Sequence, residues 1–279
     1  MAESVGRGSR SRGVRVDTLT EHLLRLTVIG SSNSIPRPNR ACSGYLVQSR
    51  HASIVLDLGS GTFANLRQLV DYNHLDAVII THMHADHFLD LIPLRYALKY
   101  GSLRRHGKLD LYLPPTGEPM LRRLVSAFES EDAGVDFLDE VFRVRSYDAK
   151  TPLEIKDVQL QFAKGVHFIE AYAIRVQINS TSVTYSADTA PCDAVVALAA
   201  DTNLFLCEAT LGPCESEAEP RGHSSAREAA QMASSSGAGS LMLTHYGSGV
   251  SPESLAEEAR RHFKGDCGVA DDFLQVIVG

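Results

Sequence analysis

The chain has 279 residues, 44% hydrophobic and 22% charged, and its 27 Lys+Arg against 34 Asp+Glu give a formal charge of −7. That balance argues against a surface that tracks phosphate backbones throughout, because such binders carry an excess of Lys and Arg. No run of 18 uncharged apolar residues occurs, and residues 1–16 (MAESVGRGSRSRGVRV) carry arginines but no apolar stretch, so neither a membrane span nor a signal peptide is predicted and the expected location is the cytoplasm.

Residues 1–23 are rich in Gly, Ser and Arg and have little to bury, which predicts a flexible basic tail. Residues 24–279 show no solenoid repeat and no linker, and are expected to form one domain. It opens with three short apolar runs bounded by turn residues, LRLTVIG, GYLVQ and ASIVLDLG, which predict strands. A helix over residues 62–72 follows, then a buried strand LDAVIIT, a helix over 86–99, a strand KLDLYLP and a helix over 117–130. Residues 141–185 read mostly as strands (VFRVRSY, LEIKDVQLQFA, AYAIRVQI, TSVTYSA), with Asn179-Ser180 as a hairpin turn. The last third alternates: LFLCEAT strand, SSAREAAQMASS helix, SLMLTH strand, PESLAEEARRHF helix, FLQVIV strand. Strand-rich blocks capped by helices predict an α/β protein with two sheets inside and helices outside.

The densest chemistry is Thr81-His82-Met83-His84-Ala85-Asp86-His87, at the end of an apolar strand and the start of a helix. Neutral imidazoles with a carboxylate suit a borderline ion such as Zn²⁺, and a strand end lets alternate side chains aim into one pocket. A helix cap by Asp86 is the competing reading, and it leaves three histidines unexplained. Taken alone, His167 is as readily a lone histidine in a strand turn and Asp188 as readily a helix cap. His245 closes the apolar strand SLMLT, where inward-facing ligands are typical, with a satisfied core histidine as the lesser alternative. The five cysteines, Cys42, Cys192, Cys207, Cys214 and Cys267, are odd in number and lack a CxxC pair, so they read as reduced thiols. Cys207 and Cys192 are expected in the core, and Glu215, Glu217 and Glu219 in a solvated loop.

The HxHxDH string resembles the metal-binding signature of metallo-β-lactamase fold hydrolases. VIGSSNSIPRPNRACSGYLV, the Asp57-Leu58-Gly59-Ser60-Gly61-Thr62 turn, Ser186-Ala187-Asp188-Thr189, LCEAT, GHSSAREAA and LTH follow in the order of the ribonuclease Z-like branch, over most of residues 24–278. The resemblance implies a four-layer αββα sandwich of two mixed sheets with helices outside. It implies two divalent metal ions, Zn²⁺ by default with Mn²⁺ or Fe²⁺ as alternatives. His82, His84 and His167 would hold one ion and Asp86, His87 and His245 the other, with Asp188 and a water or hydroxide bridging them. Asp57, Gly59 and Gly61 would shape the turn beneath the metals. Ser225 and Glu228 fit a capping box, which leaves His223 just outside its helix and free to face the pocket. In the family that position is a non-ligand histidine that protonates the departing oxygen of a phosphodiester, with Glu208 orienting it.

The expected reaction is therefore hydrolysis of a phosphodiester by metal-held hydroxide, with Asp86 hydrogen-bonding the nucleophile and His223 serving the leaving oxygen. Ribonuclease Z proper inserts a tRNA-holding arm between the third-histidine strand and the bridging-aspartate strand; here only 21 positions separate His167 from Asp188. With the arm missing and the charge negative, the chain resembles arm-less bacterial cyclic-nucleotide phosphodiesterases. The expected partner is a small phosphodiester such as a 3′,5′-cyclic nucleotide, with no membrane partner and a homodimer as a compatible assembly. Ribonuclease Z-type tRNA 3′ processing, aided by the arginines of the tail, is the alternative, and a lactone or ester hydrolase on the same fold is another.

Overall fold

Strands flanked on both faces become continuously apolar, and strands flanked on one face alternate. Both patterns occur in the computed structural model, which describes residues 22–102, 105–128 and 136–279; residues 1–21 of the expected tail and 129–130 of the helix expected over 117–130 lie outside them. Strands β1 (Leu24–Gly30) and β2 (Gly44–Gln48) are buried at every position, and β3 (Ser53–Leu58) at all but its first. β4 (Ala77–Ile79) is likewise buried, whereas β5 (Leu109–Leu113) alternates and β6 (Phe142–Ser146) is largely exposed. These six form a seven-stranded sheet in the order β14-β1-β2-β3-β4-β5-β6, with β14 (Gln275–Val278) arriving from the far end of the chain.

The second sheet runs β13-β12-β11-β10-β9-β8-β7. Its strands are β7 (Leu153–Ile155), β8 (Val158–Lys164), β9 (Tyr172–Ile178), β10 (Thr181–Tyr185), β11 (Leu204–Glu208), β12 (Ser240–Thr244) and β13 (Asp266–Val269). Both sheets follow one rule. From one edge, three antiparallel pairings give way to three parallel ones, at β3 in the first sheet and β10 in the second. On the parallel side of each change the strands share one carboxyl edge, the edge outside which ligands of open α/β sheets bind.

Three apolar clusters define the layers. Leu26, Tyr45, Leu56, Ile174, Val176, Tyr185 and Leu206 belong to the one between the sheets, with the Tyr45 and Tyr185 rings 4.7 Å apart across it. On the outside of the first sheet pack α1 (Thr62–Leu69), α2 (Ala85–Phe88), α3 (Leu91–Tyr100) and α4 (Gly117–Val125), through residues such as Phe63, Leu66, Phe88, Leu94 and Leu121. On the outside of the second pack α5 (Asp193–Leu198), α6 (Ala226–Ser236) and α7 (Pro252–His262), through Val195, Ala229, Ala233, Leu255 and Ala259. The result is the αββα sandwich. Among the described residues no helix is long and apolar enough to cross a membrane.

Several boundaries differ from the sequence expectation for local reasons. The helix expected over 86–99 is two, because Asp90 turns the chain: its N–H reaches the Leu58 carbonyl at 3.0 Å and its carboxylate accepts from the Phe63 N–H at 2.8 Å, capping α1. The first helix ends at Leu69, and a 3₁₀ turn at Tyr72–His74 follows, started by Asp71 accepting from the Asn73 N–H at 2.9 Å. LEIKDVQLQFA folds as the hairpin β7–β8, with Lys156 at φ 54° in the turn. Neither α5 nor β13 was expected; the DCGV run of β13 is only four residues long with a central Gly, and is a strand because β12 pairs with it.

Gly59 shows how closely the crevice is built. A Cβ there would lie 1.8 Å from the Asp86 carbonyl oxygen, backbone that cannot step aside cheaply. Gly59→Ala is expected to cost about 1–3 kcal/mol or more of folding stability, read as a lower urea midpoint; an unchanged midpoint would mean the turn is not held against α2.

Candidate metal centre

The centre forms where the carboxyl ends of β3, β4, β10, β11 and β12 meet. The penultimate residue of β3 is Asp57, whose carboxylate is fully buried and whose φ is 55°. It accepts from the Thr81 N–H and the Thr81 hydroxyl, each at 2.8 Å, and from the Tyr185 hydroxyl at 3.0 Å. Its Oδ2 also lies 2.7 Å from His87 Nδ1. Four hydrogen bonds thus fix the start of the HxHxDH segment against both sheets. His82 leaves the strand end, His84 stands at the N-cap of α2, and Asp86 and His87 lie within α2.

Four histidines have Nδ1 occupied by the protein: His82 by the Thr81 hydroxyl at 3.0 Å, His87 by Asp57, His167 by the Gly222 carbonyl at 2.7 Å and His245 by the Thr210 hydroxyl at 2.8 Å. Clamping one nitrogen sets the ring orientation and turns the other inward. Their Nε2 atoms converge on Asp188, with distances to its Oδ2 of 3.7 Å from His82, 3.4 Å from His87, 3.9 Å from His167 and 3.5 Å from His245. Asp86 Oδ2 lies 3.5 Å from His87 Nε2 and 3.2 Å from His245 Nε2, and His84 Nδ1 lies 2.9 Å from His167 Nε2.

Donor atoms about 2.0–2.2 Å from a tetrahedral ion stand about 3.3–3.6 Å apart, which is the range around which these spacings scatter. His82 Nε2, His87 Nε2 and Asp188 Oδ1 are buried and have no hydrogen-bond partner. Buried polar atoms are almost always satisfied, so the orphans and their convergence fit a divalent cation. Three sets of donors among the described residues come close enough to hold one: His82, His84, His167 and Asp188; Asp86, His87, Asp188 and His245; and Glu208, His223 and His245. The first two share Asp188.

The electrostatics of three of the rings agree with that fit, and His87 is the exception. Burial holds the His82 pKa well below the ordinary value and lowers those of His84 and His167, which favours the neutral ring a cation requires. Burial would also lower His87, but Asp188 and Asp57 outweigh it and raise it. Asp86 and Asp188 are buried, which would raise them, yet the facing histidines His245 and His87 hold both well below the usual carboxylate range. Backbone strain gathers here too. Ala187 (φ 52°) and His245 (φ 53°) join Asp57 in the left-handed region, each at a strand end that feeds the centre.

His223 and Glu208 form a separate pair beside it. Ser225 caps α6 in a full capping box with Glu228, and His223 stands outside the helix as expected. Its Nδ1 lies 3.0 Å from Glu208 Oε1; burial would lower its pKa, but the hydrogen bond and charge of Glu208 raise it to about 9. Glu208 is fully buried and also accepts from the N–H groups of Thr189 at 2.7 Å and Thr210 at 3.2 Å. A cavity of about 310 Å³ opens onto Asn33, Ser34, His84, Asp86, Asp188, His223 and His245.

Some contributors were not singled out by the sequence. Thr210 and the Gly222 carbonyl orient His245 and His167, and Asn33 and Ser34 line the cavity. Asp57 does more than shape a turn, since it also aims His87. Glu217 departs from the solvated loop expected for it: it is half-buried and accepts from the Gly222 N–H at 2.7 Å and the His223 N–H at 3.1 Å. Cys207 is buried in the outer core of the second sheet, and Cys192 packs partly buried against it, as expected.

Comparison with known proteins extends the picture. The family model described as anti-Pycsar protein Apyc1 matches residues 24–265. The probable metallo-hydrolase YhfI of Bacillus subtilis is 30% identical over 249 residues, 88% of this chain and 97% of that protein. Ribonuclease Z of Myxococcus xanthus is 29% identical over 304 residues, 91% of this chain and 97% of that one. The crystal structure of YhfI, a metallo-β-lactamase fold protein, matches with a TM-score of 0.80 at 27% identity over 92% of this chain and 99% of that one.

Asp57→Asn keeps the shape of the side chain but presents an amide to one of its four donors. It is expected to weaken metal binding about 10- to 100-fold, measured by competition with a chromogenic chelator. Wild-type affinity in that variant would show that Asp57 does not aim His87.

Proposed function

Because the chain belongs to the family of the anti-Pycsar protein Apyc1 and is a metal-dependent hydrolase of the metallo-β-lactamase fold, we propose that it is a binuclear phosphodiesterase for a small diester such as a 3′,5′-cyclic nucleotide. The observation that carries this reading is the His223–Glu208 pair on the same cavity as His84, Asp86 and His245. Hydrolysis of a phosphodiester expels an alkoxide, which needs a proton; a carboxylate-oriented histidine beside the donor cluster is built to give one. With Nδ1 committed to Glu208, Nε2 is the nitrogen left to serve the leaving oxygen.

The remaining side chains divide the work. His82, His84 and His167 would hold one ion, Asp86, His87 and His245 the second, and Asp188 both. Zn²⁺ suits imidazole with carboxylate, as do Mn²⁺ and Fe²⁺ less strongly. Bound there, the ions would lower the pKa of a water and neutralise charge on the phosphoryl oxygens. Asp86, at the cavity wall, is placed to accept a hydrogen bond from the attacking water and orient it. Asp57, Thr210 and Gly222 keep the histidines aimed while the reaction proceeds.

The β9–β10 hairpin supports a small substrate. The path from His167 to Asp188 is taken up mostly by these two strands and a two-residue turn, with no segment long enough for a docking arm. The relatives fit: the match to ribonuclease Z spans 304 positions while taking in 91% of this chain, whereas the match to YhfI needs 249 for 88%. The ribonuclease Z therefore carries segments this chain lacks. The free cysteines among the described residues suit a reducing cytoplasm.

Purified enzyme of known metal content should hydrolyse bis(p-nitrophenyl) phosphate and 3′,5′-cyclic AMP, and leave a 3′-extended tRNA and a chromogenic lactone intact. His223→Ala should lower kcat by about 10²–10⁴-fold with metal content unchanged. Cleavage of the tRNA at its 3′ end would reverse the substrate assignment, and inactivity on every diester with metals bound would end it.

A further inference from the structure

The loop that carries His167 inward leaves its two neighbours outside. Val166 is 46% exposed and Phe168 50% exposed. Phe168 is nevertheless not a loose surface side chain. Its ring centroid lies 5.3 Å from that of His167 and 5.8 Å from that of His223, edge-on to the latter at 66°. It also rests on Gly222, where a Cβ would come within 2.5 Å of the ring. The same Gly222 carbonyl orients His167, so the ring is braced on the backbone that builds the centre. On another part of the cavity wall, Asn33 and Ser34 lead directly into Ile35, which is 69% exposed.

An otherwise polar, charged cavity thus has large apolar side chains in water at residues adjoining its walls. Water penalises such exposure, and an exposed aromatic ring braced against the histidines of a polar site suits a ligand that has both characters. A nucleotide has both: an anionic diester for the centre and a flat aromatic base for the ring. We propose that Phe168 is the stacking platform for the base of the nucleotide substrate. This rests on the phosphodiesterase reading above and assigns a base-binding residue to it. Stacking engages the π-face that every base presents, so purines and pyrimidines are both accepted.

The chain contains no tryptophan, so Phe168→Trp introduces a single indole at the platform. Saturable quenching of its fluorescence by AMP and by CMP, with none by ribose 5-phosphate, is the expected result. In parallel, Phe168→Ala should raise KM for 3′,5′-cyclic AMP by about 5- to 100-fold while leaving KM for glycerol 1,2-cyclic phosphate unmoved. Absence of quenching by either nucleotide, or an equal KM rise for both diesters, overturns the platform. The two layers fail separately. Quenching by AMP in an enzyme that cleaves no diester ends the phosphodiesterase reading and keeps the platform; cyclic AMP turnover with no quenching and no KM change does the reverse.

Discussion

One buried carboxylate holds the centre in register. Asp57 sits near the end of β3 with no exposed surface, and a charge in that position is tolerable only when its oxygens are fully occupied. Its partners come from three places: the Thr81 N–H and hydroxyl where β4 ends, His87 from α2, and Tyr185 from β10 of the opposite sheet. Tyr185 lies three residues before Asp188, so the bond that satisfies Asp57 also sets where the shared carboxylate emerges. The left-handed backbone of Asp57 is the local cost of this arrangement, and the four hydrogen bonds offset it.

The duplicated sheet pattern explains why the centre spans the sandwich. Each sheet changes from antiparallel to parallel pairing at its fourth strand, and the two switch points face each other across the inner core. The first contributes His82, His84, Asp86 and His87 from a single strand-to-helix turn. The second contributes His167, Asp188, Glu208, His223 and His245 from four separate loops. Neither half holds the whole of either donor set that contains Asp188. Links between the halves, such as the 2.8 Å contact of the Tyr45 and Thr244 hydroxyls and the Tyr172 N–H on the Thr81 carbonyl, therefore control the chemistry as much as the fold.

What the sequence disclosed depended on whether a signal was local. The HxHxDH segment compresses four donors into six positions, so its side chains are legible before any fold is known. Strands β1 to β3 were legible because apolar runs end at turn residues. The downstream donors, each alone in its segment, gained meaning only through the family resemblance. Other contributors left no trace: the partner of His167 is a backbone carbonyl, and Glu217 looks like its neighbours Glu215 and Glu219 until the fold brings the Gly222 and His223 amides to it. The break between α2 and α3 was hidden for the same reason. Asp90 is compatible with a helix, and only the distant Leu58 and Phe63 make it a corner.

The closing pair of the first sheet joins distant parts of the chain, with Leu24 in register with Val278. During synthesis the outer edge of β1 stays without its partner until residues 275–278 leave the ribosome, at roughly 5–20 residues per second. Every candidate donor has by then been made. All the candidate donors thus precede, in the chain, the strand that covers this edge, and until that strand arrives the edge is open to pairing with another chain. The pairing of β14 closes the sheet like a clasp and removes that edge from competition.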